Sequence, residues 1–314
     1  MIMHSFDIIG DIHGQADKLT ALLRHLGYEQ SRGTWRHQDR QAVFVGDFID
    51  RGPAQLRTVE LVRRMVDAGA ALAVMGNHEF NAIAWHTPDP QRPGHFVRAH
   101  TDHHATQHAA FLGECASDET LHAEIIDWFL SLPLWLNLPG LHVVHACWHP
   151  GFVGWLADTL DDGHRLTRDV MVSAMTAADD GGHEPTVLTA VECLLKGLEV
   201  SLPPGCAFAD ADGHVRSSAR VRWWDDGART LREGVHVAES VRSQVSETLL
   251  PPEARVGERL HPVCFGHYWL EGTPTLLSPR AACVDYSAGT GGPLVAYRYD
   301  GETALDPSHL TWVP

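Results

Sequence analysis

A chain of 314 residues, 44% hydrophobic and 20% charged, can bury a large core, which excludes a disordered, fibrous or disulfide-stapled class. Its formal net charge of −16, from 24 basic against 40 acidic residues, argues against a general binder of nucleic acid or anionic membrane. Phosphate chemistry in so acidic a chain needs local positive charge, and bound metal ions are one source of it. The six cysteines, at 115, 147, 193, 206, 264 and 283, form no C-x-x-C pair and read as reduced thiols of a cytoplasmic enzyme. Asp7 and Asp11 interrupt the start of the chain before an apolar signal core forms, so neither a leader nor a membrane span is expected.

In chain order, "FDIIGD" is a short strand ending at Gly10. Leu19, Leu22, Leu23 and Leu26 then recur at helical spacing up to Gly27. "AVFVGD" is a second buried strand; Pro53 suits the first turn of a helix carrying Leu56, Val59, Val62 and Val66 and closed by Gly69. "AALAVMGN" is a third strand, so the N-terminal third predicts βαβ units and parallel pairing. Residues 86 to 135 read as a helical insertion, with "PDPQRPGH" as loop and "HAEIIDWFLSLP" as an amphipathic helix stopped by Pro133. "LHVVHACWHP" returns to a strand. The stretch from about 150 to 240 reads as a loop-rich insertion with one helix near "TVLTAVECLLKG". "HPVCFGHYW", "RAACVDYSAG" and "PLVAYRYDGE" read as short antiparallel strands, the last with an Asp-Gly hairpin signal. The expectation is one α/β domain over 1–314 with these two insertions.

The three N-terminal strands each end in glycine followed by a metal-competent residue: "GDIHG", "GDFIDRG" and "GNHE". In parallel sheets functional groups collect beyond the carboxyl ends of strands. Asp11, His13, Asp47, Asn77, His145 and His267 all follow strand-like runs. Singly, Asp11 or Asp47 would read as a helix cap; the ordered set of six reverses that. Carboxylate, imidazole and amide donors suit Mn, Fe, Zn or Co, and six of them suit two ions roughly 3.5–4 Å apart with one carboxylate bridging.

These motifs, followed by His145 and by "GH" at 266–267, resemble the signature of the PPP-type metallophosphatases within the calcineurin-like metallophosphoesterases. That group holds serine/threonine protein phosphatases and bacterial symmetrical diadenosine tetraphosphatases. The likeness runs in order from residue 10 to 298 and implies a four-layer α/β/β/α sandwich with two mixed sheets. It implies that Asp11, His13 and Asp47 hold one metal ion, that Asp47 bridges, and that Asn77, His145 and His267 complete the second, Mn being the leading candidate. A hydroxide shared by the two ions would then attack phosphorus directly. His78, beside Asn77, is the natural general acid, Asp50 the carboxylate that orients it, and Arg51 the fork that clamps phosphate oxygens. The family also implies a second phosphate-binding arginine before "GH". "ARVRWWDD" offers Arg220 and Arg222, of which Arg222 is preferred because it abuts Trp223 and Trp224. Lys196 is a further candidate, with helix C-terminal charge the stronger explanation.

Two departures stand out. Cys147 replaces a glycine common two residues after the strand-ending histidine, and is expected to be a buried, inert thiol. Trp269 stands where phosphodiesterase relatives carry a second histidine in G-H-x-H, which favours the phosphatase branch over nucleases. The run "HTDHHATQH" places His100, His104 and His108 on one helical face, expected to be solvated rather than a third metal site. The expected activity is hydrolysis of phosphomonoesters, on protein or small molecule, without stable nucleic-acid or membrane partners. The alternative is a symmetrical bis(5'-nucleosyl)-tetraphosphatase, which would need nucleobase platforms such as Trp148, Trp223, Trp224, Tyr268 or Trp269. A binding protein on a dead phosphatase fold would be expected to have lost a ligand or the acid, and none is lost.

Overall fold

A computed structural model describes residues 5–177, 185–203, 205–209 and 215–314. Strands β1 (Phe6–Ile9), β2 (Gln41–Phe44) and β3 (Ala71–Ala73) are parallel neighbours, each followed by a helix: α1 (Ala16–His25), α2 (Gln55–Asp67) and α3 (Asn77–His86). The predicted apolar stripes face inward, with Leu19, Leu22 and Leu23 buried on α1 and Val59 and Val62 on α2. The helical insertion consists of α4 (Asp102–Cys115) and α5 (Glu119–Leu130). Thr101 and Asp118 cap them by accepting the N–H groups of His104 and Leu121.

A hairpin of β4 (Trp135–Leu138) and β5 (Leu141–Val144) opens a second sheet. The stretch 150–240, of which 178–184, 204 and 210–214 lie outside the described residues, holds more regular structure than its Asp/Gly-rich pattern predicts. It contains α6 (Pro150–Ala157), α7 (Arg168–Thr176) and α8 (Val187–Lys196), then a small antiparallel sheet of β6 (Glu199–Ser201), β7 (Ser218–Val221) and β8 (Val235–His236). The first two helices bury only Leu156 and Met171, so their apolar stripe is thin, and capping by His149 and Thr167 is their clearest signal.

Strands β9 (Val263–Phe265) and β10 (Ala281–Cys283) pair in parallel with each other, and β9 in parallel with β5, against the antiparallel expectation. Short apolar runs carry no record of direction, and both lie fully buried, as parallel strands do. Strands β11 (Leu294–Tyr299) and β12 (Leu310–Val313) are antiparallel as expected and complete the first sheet, β12-β11-β1-β2-β3. Gly301 does turn the chain at φ 98°, but residues 300–309 separate β11 from β12, so this is no two-residue hairpin.

Period-two alternation sorts each strand between two cores. Ile8, Val43 and Val295 of the first sheet meet Val143, Cys264 and Ala282 of the second. Ile9, Phe44, Phe265 and Val144 point outward into the larger core shared with the helices. Two mixed sheets, packed face to face and flanked by helices, thus aim the ends of β1, β2, β3, β5 and β9 at one place. Among the described residues no helix is long and apolar enough to cross a membrane.

Candidate metal centre and catalytic site

The six expected donors meet where those strands end. His13, Asp47, His145 and His267 are buried, as is Asp11. His13 donates Nδ1–H to the Ile49 carbonyl at 2.8 Å and His145 donates Nδ1–H to the Val45 carbonyl at 2.7 Å. A carbonyl accepts only, so Nδ1 carries a proton in both rings and Nε2 is the atom that each turns toward Asp47. The His13 Nε2 lies 3.6 Å from Asp47 Oδ2, and the His145 Nε2 lies 3.4 Å from Asp47 Oδ1. Asn77 Oδ1 is 3.0 Å from His145 Nε2 and 2.7 Å from His267 Nδ1. Asp11 Oδ2 accepts the His267 backbone N–H at 3.0 Å, while Oδ1 is buried with no partner against Gly266, where a Cβ would overlap it.

Strain concentrates here. His13, Asp47, Asp50, Arg51, His267 and Trp269 all hold positive φ, between 48° and 73°, a region that costs non-glycine residues about 1–2 kcal/mol each. The surrounding hydrogen bonds over-determine that geometry. Glu79, fully buried, accepts N–H groups from Asp47 (2.8 Å), Phe48 (2.8 Å) and Gly76 (2.9 Å). Gln55 Oε1 accepts the Asp50 N–H at 2.6 Å. Gly46, at φ 99°, brings β2 so close to β3 that a Cβ there would lie 2.5 Å from Gly76 N. Asp285, just past β10, accepts the N–H groups of Trp269 (2.7 Å) and Ser287 (2.9 Å) and fixes the turn after His267.

Beside the donors, Asp50 Oδ2 accepts Nδ1–H of His78 at 2.6 Å, and its Oδ1 accepts Nδ1–H of His108 at 2.8 Å. Burial would raise the Asp50 carboxyl, but His108 and His78 outweigh it and hold it at about 2. The His78 backbone N–H donates to Asp47 Oδ1 at 2.9 Å, which places its ring against His13 with centroids 4.7 Å apart. The Arg51 guanidinium lies over the Trp269 indole, 3.9 Å from its centroid.

The donor set fits divalent cations. Two groups of donor atoms fall within 4.8 Å of one another, His13–Asp47–His78 and Asp47–His145–His267, and Asp47 belongs to both. Burial, with Asp285 and Asp47 beside it, pushes the Asp11 carboxyl well above its ordinary value. Burial and the His78 charge push His13 down to about 4, leaving a neutral ring. Asp11 Oδ1, His13 Nε2 and His267 Nε2 are buried without hydrogen-bond partners, and a cation would satisfy all three. His78 falls in the first group by distance, through an Nε2 that lies 3.9 Å from Asp47 Oδ2 while its Nδ1 bonds Asp50.

Not every candidate is brought in. Arg222 turns away: its Nη2 is 3.7 Å from Asp225 and its Nη1 faces the Glu233 carbonyl at 3.5 Å. Arg220, two residues back on β7, is the arginine whose charge reaches His267, and its Nε also lies 4.0 Å from Glu199. Burial first, then the Arg220 charge, depresses His267, and the Arg220 Nε is buried without a hydrogen-bond partner. Lys196 donates to Glu192 at 2.6 Å. His100 stacks between Trp85 and Phe96, and His104 bonds the Ala99 carbonyl. His108, expected to be solvated with them, is buried instead. Trp148, Trp223, Trp224 and Tyr268 are buried in the core, leaving Trp269 partly buried. Burial raises the Cys147 thiol well above its ordinary value, as an inert cysteine requires. Sequence reasoning passes over Glu79, Gln55 and Asp285. Of these, Glu79 stands inside the "GNHE" motif, where a carboxylate three residues past the helix cap is itself a capping signal.

A family model described as calcineurin-like phosphoesterase matches residues 4–175. Over 74 residues, 23% of this chain and 30% of the relative, the chain is 51% identical to a bis(5'-nucleosyl)-tetraphosphatase PrpE, asymmetrical, from Halalkalibacterium halodurans. It is 43% identical over 75 residues (24% of this chain, 31% of the relative) to the protein of the same name from Bacillus subtilis. The chain thus spans about 30% of the length of these curated relatives. A solved cold-active protein-tyrosine phosphatase of a psychrophile Shewanella aligns over 99% of this chain and 81% of its own, at 16% identity and a TM-score of 0.49.

Proposed function

The chain belongs to the calcineurin-like phosphoesterase family, and on that premise we propose that it is a dinuclear metal-dependent hydrolase of phosphomonoesters. The observation that carries the reading is Asp47, shared by two groups of donor atoms. Asp11, His13 and Asp47 would hold one ion, and Asp47, Asn77, His145 and His267 the other; Mn suits this mixture of carboxylate, amide and imidazole donors. When bound, the pair supplies an acidified water as nucleophile and charge to offset that developing on the phosphoryl oxygens.

The chain's own residues do the rest. Arg51, held over Trp269, offers a planar fork of N–H donors to phosphate oxygens. Arg220, whose charge reaches His267, is better placed than Arg222, which lies 3.7 Å from Asp225, to take a further oxygen. His78 keeps Nδ1–H on Asp50, so its Nε2 faces the reaction and gives the leaving oxygen its proton.

Burial of four of the five candidate aromatic platforms supports a monoester over a dinucleotide. The second reading, hydrolysis of a dinucleoside tetraphosphate, is favoured by the PrpE relatives, which are named for asymmetrical rather than symmetrical cleavage. Both are tested by one experiment. Mn-reconstituted protein is assayed on nitrophenyl phosphate, serine, threonine and tyrosine phosphopeptides and diadenosine tetraphosphate, comparing kcat/KM. A phosphomonoester should lead by at least about tenfold. A lead for the tetraphosphate, with ATP and AMP as products, would replace the first reading by the second.

A further inference from the structure

We propose that His108, on α4 of the helical insertion, is a positioning residue that fixes Asp50 and through it His78; this rests on the reading of His78 as general acid. Asp50 carries one imidazole on each carboxylate oxygen, His78 on Oδ2 at 2.6 Å and His108 on Oδ1 at 2.8 Å. An ionised carboxylate only accepts, so both rings present Nδ1–H to it. The last torsion of an aspartate is broad. One partner would leave the carboxylate plane free to turn, taking His78 with it, whereas two partners on opposite oxygens hold it.

His108 is built to stay. It is buried, its ring lies 5.2 Å from Phe111 and 6.0 Å from Trp85, and it is 58 residues from Asp50 in the chain. The same helix grips the loop a second time. Glu114 accepts the N–H groups of Gln55 (2.7 Å) and Leu56 (2.9 Å), and the Gln55 side chain holds the Asp50 N–H. Helix α4 therefore fixes Asp50 by its carboxylate and, through Gln55, by its backbone. The insertion acts as a brace on the proton donor, and none of these contacts falls on a proposed metal donor.

The test compares His108→Asn, whose amide N–H falls close to Nδ1, with His108→Gln, which places it near Nε2, and with His108→Leu. Mn-reconstituted enzyme is assayed on an alkyl phosphate and on nitrophenyl phosphate, and the histidine-labelled, metal-free protein is examined by NMR for the low-field His78 Nδ1–H resonance. In Leu and Gln, kcat on the alkyl phosphate should fall by about tenfold or more, while KM and nitrophenyl turnover stay within about threefold. The His78 resonance should broaden or move in both, and Asn should restore rate and resonance together. Equal losses on the two substrates, Asn no better than Gln, or an unmoved His78 resonance would overturn the proposal. Should the Leu variant fail to fold, the Asn–Gln pair alone decides. His78→Ala serves as control: if it does not discriminate between the substrates, the acid assignment falls, and the metal-free resonance still decides whether His108 holds Asp50.

Discussion

Glu79 Oε2 accepts the backbone N–H of Asp47 at 2.8 Å, and the carboxylate spends its remaining capacity on Phe48 and Gly76. A residue that touches no substrate thus sets the left-handed backbone of the carboxylate shared by both donor groups. Replacing Glu79 by Gln turns an amide NH2 toward at least one backbone N–H. Mn affinity should weaken by about 10–100-fold, read by calorimetric titration of the metal-free protein. Unchanged affinity would show that the strained loop holds itself.

Asp47→Asn should do more than weaken one site. Because Asp47 faces both His13 and His145, bound Mn should fall from two ions per chain to one or none, counted by elemental analysis after gel filtration. Retention of both ions with activity would dismiss the bridging assignment.

The Arg51–Trp269 stack separates charge from orientation. Arg51→Lys keeps the charge but loses the planar fork, so inhibition by inorganic phosphate should weaken by about tenfold. Trp269→Ala leaves the guanidinium and removes its platform, which should weaken inhibition by only about two- to fivefold. Equal effects, or none from Arg51→Lys, would remove the clamp from the mechanism.

Away from the site, burial, then the nearby His261, pushes His142 down to about 4 from an ordinary 6.5. The unfolded chain then binds a proton that the folded chain refuses, so stability is intact above about pH 6.5 and declines as pH falls toward 4, by on the order of 1–3 kcal/mol. His142→Phe keeps the stack on Trp148, at 4.0 Å in the native chain, and removes the titration. The metal-free variant should lose less stability between pH 7.5 and 5 than the parent, by urea denaturation. Parallel losses would place the acid sensitivity elsewhere.

Much of this was legible from residue order. A buried strand announces itself by an apolar run, and a strand end by glycine, so the donors at Asp11, Asp47, Asn77, His145 and His267 could be placed in sequence before being placed in space. The direction of β9 and β10 could not, since an apolar triplet packs equally well either way up. Arg222 is preferred on its adjacency to two tryptophans, but it lies just past the end of β7, where its guanidinium meets Asp225 and the Glu233 carbonyl. The burial of its neighbours carries no record of which side the donor groups lie on.

The sequence by itself determined the chemistry available: which strands end in carboxylate, imidazole or amide, in what order, and with an Asp-Arg pair three residues past the shared aspartate. That information is local, because it depends on runs of a few residues and their glycine punctuation. The tertiary structure decided which distant groups support it. His108 reaches Asp50, Glu79 the Asp47 backbone, and Arg220 rather than Arg222 the neighbourhood of His267. Each depends on how helices dock and where strands end, which are settled by packing across the whole core.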